Sequence, residues 1–264
     1  MSQQAVLTSL DRRGVATVTL NRPEVNNAYD ETLIQGLHAA MDELGAKPGL
    51  RVVVLRGAGK HFQAGADLKW IRRVATLDAA ENERVSRATA MAVHRLNTLP
   101  LPTVALVQGG CFGGGTGIVA ACDVVVAADN AMFSIAETRW GLTAAIILPQ
   151  LADAIGARQV RRYALSGERF GAQEARRIGL AHEVVPLEEL EAAGERLVAQ
   201  LLQNAPEANA QTKAAAFAFA WGAVDESTLE LLAEQHAAKR RSAEATEGLA
   251  SFTEKRAARW APGA

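Results

Sequence analysis

The chain has 264 residues, 49% of them hydrophobic and 22% charged, which is enough apolar material for one sizeable buried core. A formal net charge of -1 argues against a general electrostatic partnership with nucleic acid or an acidic membrane. Two cysteines, Cys111 and Cys122, exclude a disulfide framework, and five scattered histidines suggest no metal site.

The amino-terminal segment reaches Asp11-Arg12-Arg13 without the apolar core of a secretory signal, so a cytoplasmic location is expected. Residues 15–20 (VATVTL) alternate as a strand and stop at Asn21-Arg22-Pro23. Asp30 offers an N-cap to a helix through residue 44, with Leu33, Ile34, Leu37 and Met41 on one face. The apolar run within residues 51–56 predicts a buried strand. It leads into the turn His61-Phe62-Gln63-Ala64-Gly65-Ala66-Asp67-Leu68. Helical sequence follows Trp70, where Ile71, Val74, Leu77 and Met91 are candidates for either a pocket or the core; Arg72-Arg73 reads as a solvated face.

Residues 103–107 repeat the strand signal ahead of Gln108-Gly109-Gly110-Cys111-Phe112-Gly113-Gly114-Gly115. Residues 104–128 are the most apolar stretch, but Asp123 and the clustered glycines argue against a membrane span. Short strands are predicted at 124–127 and 132–135, and helices near 187–204, 206–222, 226–240 and 242–256. Recurring strand, glycine turn and helix indicate an α/β layered domain with largely parallel strands, followed by a helical region.

A glycine turn between strand and helix presents backbone N–H groups that no side chain blocks, and two such donors can hold one anionic oxygen. Taken alone, the second turn admits three readings: an oxyanion loop, a phosphate cradle, or close helix packing. Gly115-Thr116-Gly117-Ile118-Val119-Ala120 even matches a loose dinucleotide fingerprint, with Glu137 placed 20 residues on as its acidic partner.

Together the two turns resemble the crotonase family, the enoyl-CoA hydratases and isomerases. The likeness extends from Asn21-Arg22-Pro23 through Ala121-Cys122-Asp123 and residues 175–180 to Phe252-Thr253-Glu254-Lys255-Arg256. It implies a spiral of ββα units over residues 1–199 and a helical trimerisation region over 200–264, in a homotrimer or dimer of trimers. It also implies an oxyanion hole made by the N–H groups of Ala66 and Gly114. Coenzyme A would arrive within the thioester substrate, with no permanently bound cofactor or metal. Ala64, Ala66, Asp67, Leu68 and Gly114 would contact it, Val25 would flank the adenine, and Phe252 and Lys255 would reach the coenzyme A of a neighbouring subunit.

Many hydratases of that family use two glutamates. The resemblance assigns one to Glu137, in Phe133-Ser134-Ile135-Ala136-Glu137, but Gly117 stands where the other is expected. A single glutamate beside an oxyanion hole suits either water addition or double-bond migration. Glu137-Thr138-Arg139-Trp140-Gly141-Leu142 and the residues after it are similar to the branch that hydrates 3-methylglutaconyl-CoA or isohexenylglutaconyl-CoA. That likeness favours hydration and makes Arg139 a candidate partner for the second substrate carboxylate. A non-catalytic binding protein on the same fold is the third reading, and Gly117 is its best support.

Overall fold

The computed structural model describes residues 4–45, 47–219 and 226–263. From the amino terminus the chain forms β1 (Val6–Leu10), β2 (Val15–Leu20), α1 (Glu31–Gly45), β3 (Val52–Gly57), α2 (Leu68–Val74) and α3 (Ala79–Asn97). It continues through β4 (Thr103–Val107), β5 (Gly110–Phe112), α4 (Gly114–Ala120), β6 (Val124–Ala128) and β7 (Met132–Ser134). Then come α5 (Leu148–Ser166), broken at Gly156, β8 (Phe170–Gly171), α6 (Ala172–Ile178), β9 (Glu183–Val185) and α7 (Leu190–Leu202). The last helices are α8 (Pro206–Phe219), α9 (Glu226–Arg240) and α10 (Ala243–Glu254). The final residues expected in the 206–222 helix lie outside the described residues.

Six strands make one sheet in the order β1-β2-β3-β4-β6-β9, antiparallel only at β1–β2. Both faces are covered, which is why β3 and β4 read as unbroken apolar runs. Val53, Leu55, Ala105 and Val107 point into the main core with α1 and α3, while Val52, Val54, Val104 and Leu106 pack under α7. A second, three-stranded sheet of β5, β7 and β8 stands beside it. The layered α/β class and the crotonase-like succession of sheets and helices thus match expectation. Asp30 caps α1 as predicted, its Oδ1 accepting from the N–H groups of Thr32 and Leu33 at 2.9 and 3.1 Å.

The expected division at residues 199 and 200 falls inside α7, because Leu202 still packs on the sheet. The change of character comes after it: α8 buries no residue and α10 buries only Ser251. One polar tether holds α8 to the core. Lys213 Nζ donates to Asp123 Oδ2 at 2.8 Å and to Leu101 O at 3.1 Å, while Thr103 N and Oγ1 also donate to that carboxylate oxygen. Among the described residues no helix is long and apolar enough to cross a membrane.

Both members of the Lys213–Asp123 pair are largely shielded from solvent. Lys213→Met is therefore expected to lower stability by about 1–3 kcal/mol, measured by thermal unfolding. Combining it with Asp123→Asn should cost less than the sum of the two single changes.

Candidate active site

Two buried amides build the site. Asn27, at the end of the Asn21-Arg22-Pro23 turn, donates through Nδ2 to the carbonyls of Ala58 and His61, both at 2.8 Å, and accepts from Arg22 N. Gln63 joins the two glycine turns. Its N–H donates to Gly110 O at 3.1 Å and its carbonyl accepts from Phe112 N at 2.9 Å, adding it to the edge of β5. Its side chain then closes on the first turn, with Oε1 accepting from Gly65 N at 2.9 Å and Nε2 donating to Gly65 O at 3.2 Å.

Gly65 and Gly113 both have positive φ, +88° and +51°, and a Cβ on Gly113 would lie 3.8 Å from Gly65 Cα. The two turns therefore touch. Tyr29 N donates to Gly65 O and Asp67 N donates to Tyr29 O, both at 2.9 Å, in a parallel bridge that uses the groups on either side of Ala66. Such a bridge turns the N–H of Ala66 away from Tyr29. Gly114 opens α4, so its N–H has no acceptor within the helix. Among the described residues neither N–H meets an acceptor, and both residues line one cavity of 620 Å³.

The deep wall of that cavity is apolar, supplied by Leu33, Ile34 and Leu37 of α1, Ile71 of α2, Val93 of α3 and Ile118 of α4. Asp67 caps α2, with Oδ1 accepting from Lys69 N at 2.9 Å and Trp70 N at 3.3 Å. Arg22 Nη2 lies 2.9 Å from Asp30 and 3.8 Å from Asp67, so one guanidinium joins the caps of both helices. Leu68 and Ala64 line the cavity, and Val25 sits beside it in a turn whose Asn26 O accepts from Ala64 N at 3.0 Å.

Glu137 comes from the strand paired with β5. β7 ends at Ser134, whose carbonyl accepts from Gly113 N at 2.8 Å, and the following turn is closed by Leu142 N donating to Glu137 O at 3.1 Å. The carboxylate then covers Gly113, where a Cβ would come within 2.9 Å of Oε1. Oε2 is buried without a hydrogen-bond partner among the described residues. Burial raises the pKa of Glu137 above the ordinary carboxylate range, against the opposing effect of its own backbone N–H.

The glycines of the loose dinucleotide pattern are packing glycines. A Cβ on Gly115 would lie 2.6 Å from Gln63 Oε1, and one on Gly117 would lie 2.2 Å from Ile147 Cγ2. Neighbouring side chains leave no space for a Cβ at either position, and Glu137, the supposed acidic partner, faces Gly113. The same contact explains why no second carboxylate occupies position 117: the space belongs to Ile147, which is 1% exposed.

Arg139 is not brought to the cavity. It is exposed and lies against the end of α5, where a Cβ on Gly167 would be 2.7 Å from its Nε. Phe252, 85% exposed, and Lys255 stand at the end of α10 and line no part of the cavity in this chain. Of the residues expected after Trp70, Ile71 lines the cavity, Val74 packs on the core, and Leu77 and Met91 are exposed. Sequence reasoning missed Tyr29 and Arg72, which line the cavity, and the buried Asn27 and Gln63. The signal for Gln63 was its place inside the first turn motif. Arg72 carried none, because a pair of arginines on a helix looks like any solvated face.

Residues 11–262 match the model of a protein family described as enoyl-CoA hydratase/isomerase. The chain belongs to the enoyl-CoA hydratase/isomerase family. Among its relatives, mevalonyl-coenzyme A hydratase sidH of Aspergillus fumigatus is 31% identical over 262 residues, 98% of this chain and 96% of that protein. A mitochondrial Delta(3,5)-Delta(2,4)-dienoyl-CoA isomerase of Dictyostelium discoideum is 30% identical, over 93% of this chain and 87% of its own. The crystal structure of an enoyl-CoA hydratase from Shewanella pealeana superposes with a TM-score of 0.93 at 34% identity, covering 97% of this chain and 96% of that one.

Two outcomes are expected from this geometry. Gly117→Glu should lose about 1–3 kcal/mol through overpacking and gain no activity, with Ile147→Ala recovering part of the loss in thermal unfolding. A carboxyl whose folded pKa is raised costs stability once it ionises. The wild type should therefore lose stability as pH climbs from the ordinary carboxylate range through the raised value, whereas Glu137→Gln should not. The variant's Tm advantage should be absent at pH 4 and present at pH 8.

Proposed function

We propose that this chain adds water across the double bond of a 2-enoyl-CoA thioester, with Glu137 as its one acid-base group. The observation that carries this reading is the buried Glu137 carboxylate over Gly113, next to two N–H groups that lack acceptors among the described residues. With the thioester oxygen held by the N–H groups of Ala66 and Gly114, the negative charge that develops on it meets fixed donors. Each such donor contributes about 3–4 kcal/mol to the transition state. The water oxygen bonds to the β carbon, its proton passes to Glu137, and Glu137 returns a proton to the α carbon. A carboxyl of raised pKa suits both halves of that exchange.

The acyl group we assign is branched and glutaconyl-like, as the resemblance around Glu137 implies. The apolar wall accommodates the branch, and Arg72, rather than Arg139, is the cation that lines the cavity. Arg72 is exposed, lines the cavity and has no ion-pair partner among the described residues, so its guanidinium can pair with a second substrate carboxylate. Val25, Ala64, Asp67 and Leu68 would hold the coenzyme A portion. Phe252 and Lys255 would serve a neighbouring subunit in a trimer or dimer of trimers, a reading supported by how little of α8 and α10 is buried within one chain.

Double-bond isomerisation is the second reading, favoured by the same observation: one carboxylate in the cavity can carry a proton between the γ and α carbons. A product-resolved assay with 3-methylglutaconyl-CoA, crotonyl-CoA and a 3-enoyl-CoA separates the two. Water uptake concentrated on the glutaconyl substrate is expected, with Glu137→Gln lowering turnover by at least about 100-fold. Migration of the double bond without water uptake would assign isomerisation instead, and inactivity on all three would leave a binding protein. Arg72→Met should raise KM for 3-methylglutaconyl-CoA about tenfold and that for crotonyl-CoA less than twofold. Equal effects would move Arg72 to the coenzyme A portion.

A further inference from the structure

Position 117 holds no carboxylate and Ile147 fills the space, so the hydration reading needs another group to hold the attacking water. Only a few polar side chains line the cavity. Thr89 Oγ1 already donates to Val85 O at 2.9 Å, and Thr143 is exposed. Arg72 is exposed on α2, whereas Tyr29 is set directly against the glycine turn.

Three contacts fix the Tyr29 ring. Its main chain is bonded on both sides of Ala66, its ring meets Trp70 in a T-shaped contact with centroids 5.6 Å apart, and its Cε1 edge lies against Gly114. A Cβ on Gly114 would lie 2.6 Å from Tyr29 Cε1 and 3.3 Å from Cζ, the atom that carries the hydroxyl. Glu137 Oε1 stands in the corresponding place over Gly113. The phenol and the carboxylate thus flank the single peptide unit whose N–H is the second oxyanion donor. Tyr29 is half-buried and its hydroxyl meets no hydrogen-bond partner among the described residues, which leaves it available to a molecule in the cavity.

We propose that the Tyr29 hydroxyl holds the attacking water against Glu137, in the role that a second carboxylate at position 117 would otherwise fill. This rests on the hydratase reading above. The phenol accepts a hydrogen bond from the O–H that the water keeps, while Glu137 takes the other proton. The new C–O bond forms at the β carbon, Glu137 delivers its proton to the α carbon, and Tyr29 keeps its own throughout. Burial and the negative charge of Glu137 push the phenol pKa up to about 12, which keeps it protonated during turnover.

Tyr29→Phe is the test, because it removes only a hydroxyl that no other described residue uses, and the fold is expected to survive. The hydration kcat on the best 2-enoyl-CoA should fall at least about tenfold, with KM and the Kd for butyryl-CoA within threefold of wild type. Exchange of the α proton of butyryl-CoA with D2O needs Glu137 and the two N–H groups but no water at the β carbon, so it should keep at least a third of its rate. A kcat loss below threefold overturns the assignment. So does a parallel loss of α-proton exchange or of binding, since the phenol would then serve the oxyanion or the packing. A wild type that shifts double bonds without taking up water overturns the hydratase reading and this assignment with it. A wild type that hydrates while Tyr29→Phe hydrates equally well overturns this assignment alone.

Discussion

The site depends on the contact between two glycine turns, and Gln63 enforces it. Its main chain belongs to the β5 sheet, while its side chain holds both polar groups of the Gly65 peptide linkages. One residue therefore sets where Ala66 stands relative to Gly114. A buried amide left unpaired costs about 1–3 kcal/mol, so displacing either turn would be opposed by Gln63 as well as by lost packing. Glycine at 65, 113 and 115 is what lets the backbones come this close: two need positive φ, and a side chain at the third would strike Gln63.

What the clamp leaves exposed is unpaired polarity. Among the described residues the N–H groups of Ala66 and Gly114 have no acceptor, and Oε2 of Glu137 is buried without a donor. A fold selected only for stability would satisfy or remove them. Their convergence in one cavity, with an apolar wall on one side, is the arrangement expected where charge develops on a substrate oxygen while a proton moves nearby. The same economy accounts for Gly117 and Ile147. A buried isoleucine occupies the space beside Gly117, and Glu137 and Tyr29 are left as neighbours of the Gly113–Gly114 peptide.

Much of this was legible in the sequence where the signal was local. The alternation in VATVTL, the apolar runs of β3 and β4, and the Asp30 cap each produced the element expected, because period and capping chemistry act over a few residues. The C-terminal helices were equally plain, although 187–189 forms a 3-10 turn ahead of α7. Illegible features were those decided by distant contacts. β5 and β9 are three residues long and exist because neighbouring strands supply their hydrogen bonds. Arg139 follows Glu137 closely in sequence, yet one turn of 3-10 helix rotates it to the far side, against Gly167. Tyr29 reads as an ordinary residue after Asn27-Ala28, and only tertiary pairing places its ring on Gly114.

On the proposed reading, the Ala66 and Gly114 N–H groups act together on one thioester oxygen. Isotope-edited infrared spectroscopy of a bound acyl-CoA labelled with 13C at the thioester carbonyl tests it most directly. A carbonyl stretch shifted to lower frequency on binding is expected, with the shift persisting in Glu137→Gln because the donors are backbone groups. A ligand that binds with its carbonyl frequency unchanged from water would mean that the two N–H groups do not meet that oxygen.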